Sequence, residues 1–447
     1  MEGSTNGQDI TDQDVKSQKE FSVAPSPPLS TLERDTEKSV QTKPAGRQPP
    51  DGGVAAWLVV LGAWCTSFCS FGWVNSVGVF QEYYQNDLLR GYSPSTISWI
   101  ASLQIFLMLA LGPFVGAIYD HHGPRGLLFV GTLFHVFGLM MASLGTEYYQ
   151  LLLAQGICSA IGVSSIFQPS VTCVATWFTK KRGIAIGVAF TGSSIGGIVF
   201  PIMVSHLIRS VGFGWAMRIC AFLILSLLII ANLTVRPFQP PTPYKVTGAQ
   251  LLKPLREIEF LLIAAGSFIF GFGFFAPLTF IPVEALAQGM NDHLAEYLLS
   301  ILNAGSLFGR LSTGFFGDKV GYYNTFIISC YGTGLWILVL WLPGASAAAT
   351  IAFTVLFGFF SGGSVSLLTP LVMAVSPMAE VGFRMGIVLF VTGVGMLVTS
   401  PICGAIADLD DGWTKVKIFA GVFCLAGTTF ILVARLRKTG LKAFVRF

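Results

Sequence analysis

Arginine 310 stands inside a long apolar stretch, and Asn303, Ser306 and Thr313 recur around it at helical spacing, which gathers four polar side chains on one face of an otherwise apolar helix. An arginine at the centre of a bilayer costs about 2.5–3.5 kcal/mol on insertion scales, so such a residue must face a wet cavity or a partner. A guanidinium in that setting can hold a carboxylate through two parallel hydrogen bonds, which suits it to an organic anion. The competing reading is that Arg310, past the midpoint of its stretch, snorkels to the nearer interface. Asn75 and Gln168 are single amides in other apolar stretches, and together with Ser361 and Ser364 they are further candidates for solute contact. Each serves equally well as an interhelical hydrogen bond of about 0.6 kcal/mol.

A second constellation is GAIYDHHGPR, residues 116–125, a polar turn between two apolar runs. Gly116 lets two helices approach closely, and Asp120 can accept from free N–H groups at the start of the next helix. Gly123 permits the positive φ of a sharp turn, and Arg125 supplies a countercharge. GFFGDKVGYY, 314–323, repeats the spacing as Gly314, Asp318 and Gly321, with Tyr323 in place of the arginine. One spacing at two distant places implies two related halves and makes Asp318 a second gating candidate.

The elements that must carry these residues are read from composition. The chain is 53% hydrophobic and 11% charged, with a mean hydropathy of +0.68, whereas soluble domains carry about 25% charged residues. Twelve apolar segments are long enough to span a bilayer: 54–80, 97–119, 126–145, 149–176, 184–208 and 213–235, then 258–282, 296–316, 324–343, 347–374, 384–407 and 415–436. The expected protein is an all-α integral membrane protein of twelve transmembrane helices in two six-helix pseudo-repeat halves. Its divisions are a disordered cytosolic tail (1–50), an N-terminal half (51–235), a cytosolic central loop (236–257), a C-terminal half (258–436) and a short cytosolic tail (437–447).

Arg125, Lys180, Lys181, Arg182, Lys253, Arg256, Lys319 and Arg435 fall at one side of these spans, while Glu82, Asp87, Glu147, Glu284, Asp408, Asp410 and Asp411 fall at the other. The positive-inside rule then puts both termini in the cytosol, with the cell membrane as the default location. A net charge of +4 without aromatic-interleaved basic tracts argues against nucleic acid. The eight cysteines lie inside apolar runs without a CxxC pair, and no metal or cofactor is expected.

Gly116-xxx-Asp120-xx-Gly123-x-Arg125 resembles the loop signature that major facilitator superfamily transporters carry between their second and third helices. DGGVAAW (51–57) and WFTKKRGIAIGVAFTGSSIG (177–196) resemble the two signatures of its monocarboxylate porter family, with the closest fit to fungal members. From residue types alone, Asp51 is an N-cap of the first helix. The literal G-x-S-x-G at 192–196 lies mid-helix, where Gly192 and Gly196 make a packing face rather than a nucleophile elbow. In animal relatives a helix-eight arginine follows an aspartate one turn earlier, and a helix-one lysine completes a proton and substrate relay. Arg310 matches the arginine, but Ser306 and Asn75 occupy the other two positions, so that relay does not carry over.

Among the remaining polar groups, His135 and His206 read as buried structural residues and Arg384 as an interface anchor. The phenylalanine-rich run 268–275 reads as a lipid-facing surface, or as a wall against a bulky ligand. The resemblance implies alternating-access transport of a small organic solute, anionic if Arg310 binds it, with the proton as a candidate coupling ion. Export of a fungal secondary metabolite or organic anion is the favoured direction, and uptake of a monocarboxylate nutrient is the alternative. A non-transporting sensor is the competing class, and neither ATP use nor enzymatic chemistry is expected.

Overall fold

The computed structural model describes residues 49–239, 253–344 and 346–440. Among the described residues there is no strand, and the chain is built from twelve long helical segments. These are α1 (Val54–Leu88), α2 (Pro94–His122), α3 (Pro124–Ala142), α4 (Tyr148–Trp177), α5 (Arg182–Val211) and α6 (Phe213–Thr234). The second six are α7 (Ile258–Ala287), α8 (Asp292–Val320), α9 (Tyr322–Trp341), α10 (Ala347–Ala374), α11 (Met378–Ala407) and α12 (Gly412–Thr439). Eleven are long and apolar enough to cross a membrane. The exception is α8, which has the length but carries the Asn303, Ser306, Arg310 and Thr313 stripe.

Several helices run past the apolar segments that announce them. α1 continues from the expected end at 80 to Leu88, and α7 from 282 to Ala287. Hydrogen-bonded turns persist into polar sequence there, so hydropathy marks the membrane-embedded part rather than the helix. α12 likewise extends past 436 to Thr439. The tail ahead of residue 49, positions 240–252 of the central loop and the last seven residues lie outside the described residues.

Local sequence sets the ends. Ser93 caps α2 by accepting from Thr96 N at 3.1 Å, with Pro94 in the first turn, where its missing N–H costs nothing. Gly123 turns the chain from α2 into α3 at φ 78°, and its repeat Gly321 does so between α8 and α9 at φ 103°. Irregular stretches of two helices meet at one side chain. α1 widens to π-helical turns at Phe68–Gly72 and breaks at Asn75–Ser76, and α4 is π-helical over Leu152–Ser159. His135 of α3 spans both irregularities. Its Nε2 donates to the Cys69 carbonyl at 3.0 Å, so Nδ1 accepts from the Ser159 hydroxyl at 2.9 Å. A carbonyl inside an irregular turn thereby gains a side-chain donor.

One apolar core is built almost wholly from α1–α6 and a second from α7–α12. The halves meet chiefly along α2 against α11 and α5 against α8. Gly192 and Gly196 do form a packing face: a Cβ at 192 would overlap the Trp64 carbonyl, and one at 196 would sit 2.8 Å from Gly72 Cα. Three expectations are corrected. His206 is exposed on the bundle surface rather than buried. The phenylalanines of 268–275 are not an exposed lipid-facing surface: Phe270 and Phe274 are buried, and half-buried Phe272 packs on Phe419 and Phe423 of α12. Asp51 does not cap α1, whose N-cap is Gly53.

Candidate functional site

All four residues of the α8 stripe are buried, and they part company in what they touch. Arg310 turns across the boundary between the halves to α5, where its Nη1 donates to the Phe190 carbonyl and the Ser193 hydroxyl. Its guanidinium carbon lies 5.7 Å from the centre of the Phe190 ring. The side chain therefore does not snorkel; it is 8% exposed. Nε has no hydrogen-bond partner among the described residues, and Arg310 forms no ion pair with them. The result is a buried cation whose polar neighbours are neutral, and one of its donors is unused.

Asn303, two turns away, donates through Nδ2 to Asn75 Oδ1 at 3.3 Å and to its own Leu299 carbonyl at 2.9 Å. Asn75 donates in turn to the Phe71 carbonyl at 2.6 Å, so it occupies the break in α1 and faces the opposite half. A break in a membrane helix exposes backbone polar groups only where protein or a cavity can satisfy them. Ser306 and Thr313 face away from this boundary, packed against Gly362 and Gly363 of α10. Ser361 and Ser364 bond to backbone carbonyls of their own helix. Gln168 belongs elsewhere: its Nε2 donates to the Gly382 carbonyl of α11 at 2.7 Å, while its Oε1 is buried without a partner. The structure thus joins Asn303 to Asn75 and places Arg310 two turns along α8 on the same boundary, against Phe190 and Ser193, while Ser306 and Gln168 have other partners.

The two aspartate turns hold the halves together at the basic end of the bundle. Asp120 accepts from Gly382 N at 2.9 Å and Phe383 N at 2.8 Å, at the start of α11. The expected partner, the N-terminus of α3, is not used, because α2 and α11 run against each other and bring a different helix start within reach. Asp318 repeats the contact on α5, accepting from Gly183 N at 2.7 Å and Ile184 N at 2.9 Å. A carboxylate on two free N–H groups at a helix start gains both hydrogen bonds and the helix dipole. Gly116 makes this possible, since a Cβ there would overlap the Gly382 carbonyl. Arg125, expected as a countercharge, is exposed at the start of α3 and makes no ion pair among the described residues.

Three features went unread in the sequence. Arg384 is not an interface anchor but is fully buried, bonded to Glu257 at 2.5 and 2.8 Å and to Glu380 at 3.0 and 2.9 Å. Lys253 adds a 3.4 Å bridge to Glu380. The Arg384 hydrogen bonds hold the Glu257 carboxyl, which lies outside the spans, below its usual value. Opposite charges at the entries of two spans were the available signal. Asp51 accepts from Thr179 N at 2.5 Å and Lys180 N at 2.7 Å, so the DGGVAAW and WFTKKRG segments grip each other, and Trp57 meets Phe178 edge-on at 5.6 Å. Lastly, Lys417 and Glu284 form a buried pair at the opposite end.

Taken together, the chain has two clamped halves, a broken first helix and an uncompensated cation at their boundary. Comparison with known proteins agrees with this architecture. The family model described as "Major Facilitator Superfamily" matches residues 62–348 and 263–445. The chain is 54% identical over 415 residues to the MFS transporter asaE of Aspergillus flavus, covering 92% of this chain and 94% of that one. It is 50% identical to the fujikurins efflux protein of Gibberella fujikuroi, covering 92% and 89%. With the aspyridones efflux protein apdF of Emericella nidulans it shares 35% identity, covering 87% and 79%. Among solved structures, the E. coli fucose:proton symporter FucP superposes with a TM-score of 0.68 over 84% of this chain and 98% of that one, at 11% identity, a likeness of fold. On the strength of the family match and of relatives this similar over nearly the whole chain, the protein belongs to the Major Facilitator Superfamily.

Proposed function

We propose that this chain exports a small organic anion of fungal secondary metabolism by alternating access of its two halves, with Arg310 as the anchor for the anionic group. The observation that carries the reading is Arg310 itself: a buried guanidinium at the boundary of the halves, with no carboxylate partner and a free Nε donor. A charge so placed is costly unless an anion compensates it for part of the cycle. Asn75 and Asn303, joined across the same boundary, supply neutral donors and acceptors for the rest of the solute. Export as the direction rests on the relatives named for efflux of fujikurins and aspyridones.

In this reading the chain sits in the cell membrane with its basic end and both termini in the cytosol. The gripping of DGGVAAW by WFTKKRG supports placing it in the monocarboxylate porter branch. Protons are the proposed coupling ion, without the lysine–aspartate relay.

The test is a paired metabolite profile of cells and medium, with and without the gene, followed by complementation with Arg310→Gln. An acidic compound retained inside the deletant and missing from its medium is expected. Arg310→Gln at normal membrane abundance should lower export roughly ten- to a hundredfold, the equivalent of losing one or two charge-assisted hydrogen bonds. Full export by that variant would remove Arg310 from the solute site, and a nutrient left unconsumed in the medium would reverse the direction.

A further inference from the structure

Away from this site, two charges are buried for no purpose yet described. Glu284 is 3% and Lys417 4% exposed, and Lys417 Nζ lies 2.5 Å from Glu284 Oε1. Gln288 Nε2 donates to the same oxygen at 2.7 Å. Lys417 Nζ is also 5.6 Å from the ring centre of Trp341, which stacks on Phe353 at 5.2 Å. The last turn of α7 is thereby tied to α12, to the end of α9 and to α10.

A buried ion pair is no more stabilising than a well-packed apolar pair, so stability alone does not account for it. What distinguishes this position is the helix it ends. Pro277 and Pro282 lie inside α7. Each lacks an N–H and crowds the carbonyl four residues earlier, so two rungs of the ladder are missing and the end of α7 is weakly tied to its own beginning. Tight approach between the halves runs from the basic end, through Gly116 with Gly382 and Gly183 with Gly314, as far as Gly197 with Asn303 and Gly393 with Leu109, whereas the closest neighbours of Gly266, Gly271 and Gly273 of α7 all belong to its own half. The far end of α7 therefore takes its position from its own half, and the charges at 284 and 417 are its directional link.

We propose that Glu284 and Lys417 are positioning residues of the transport cycle: they pin the proline-weakened end of α7 to α12 and away from the N-terminal half, and release of the pin lets that end swing toward α1 as the basic end opens. This rests on alternating access and not on the charge or identity of the solute. Apolar residues at the two positions would pack as well but would not fix one orientation.

The test uses the full chain in lipid nanodiscs with spin labels at Asn86→Cys and Ala287→Cys, two exposed positions at this end in opposite halves. Cys158, the cysteine that is not buried, is changed to Ser. In Glu284→Leu/Lys417→Met the short-distance population should rise roughly tenfold, the shift expected when one charge-assisted bond no longer biases two states. Gln288→Ala, an exposed change that removes one donor to Glu284, should move it the same way by roughly threefold. A purely structural role would alter melting without moving the distances. Unchanged distances in the double variant at normal abundance would overturn the proposal, and if that variant does not reach the membrane, unchanged distances in Gln288→Ala would do so. The measurement needs no solute, so failure of the export assay would count against the proposed solute and not against the pin.

Discussion

Replacing Asp120 with asparagine should open the basic end of the bundle. In the structure its two carboxylate oxygens take the N–H groups of Gly382 and Phe383 at 2.9 and 2.8 Å, joining α2 to the start of α11. Charge-assisted hydrogen bonds contribute about 1.5–3 kcal/mol each, and a charge at a helix N-terminus about 0.3–1 kcal/mol more. An amide of the same shape keeps one acceptor oxygen and loses the charge, so the clamped state should weaken by about 2 kcal/mol, roughly thirtyfold in population. Asp318→Asn should do the same through Gly183 and Ile184. The two clamps sit on different helix pairs, so their effects should add, giving roughly a thousandfold in the double variant. Spin labels at Arg125→Cys and Met378→Cys, both exposed and on opposite halves, report the separation. A shift to longer distances in each single variant, larger in the double, is expected. Unchanged distances and transport in Asp120→Asn would refute the reasoning and reduce the motif to a turn.

Gly116→Ala should mimic loss of the Asp120 clamp with the aspartate still present, because its methyl overlaps the Gly382 carbonyl and forces α2 from α11; the same label pair checks it. Glu257, its carboxyl held low by Arg384, contributes stability that is fully present above the usual glutamate value and is lost as the pH falls through the lowered one. Melting of the purified protein should show that acid-side loss, and Glu257→Gln should flatten it while lowering stability at neutral pH. His135→Ala removes the side-chain donor to the Cys69 carbonyl and the link to Ser159, which should cost about 1–3 kcal/mol in a melting assay and leave the Arg125/Met378 distances unchanged.

Much of the membrane architecture was legible because hydropathy and repetition act locally. A bilayer demands long apolar helices whatever their partners, so composition gave the spans to within a few residues, with overruns such as α1 to Leu88 where helix continues into polar sequence. Gly123 and Gly321 were legible for the same reason, as a turn with positive φ needs glycine regardless of context. The sequence also marked Arg310, since an arginine in an apolar helix requires compensation.

Partners were a different matter, because helix faces meet through packing and not through chain order. Asp120 lies four residues before α3 yet serves α11, and Asp51 lies just ahead of α1 yet binds the turn before α5. The polar stripe on α8 is continuous in sequence, but a helix surface touches several neighbours, so Arg310 meets α5 while Ser306 meets α10. Glu284 and Lys417 were each readable only as charges near the ends of spans; their union depends on α7 and α12 lying side by side. Helix type, length and cost of polar insertion are properties of a segment and reside in the sequence. Which two charges share a pocket is a property of distances across the bundle, and only the tertiary structure decides it.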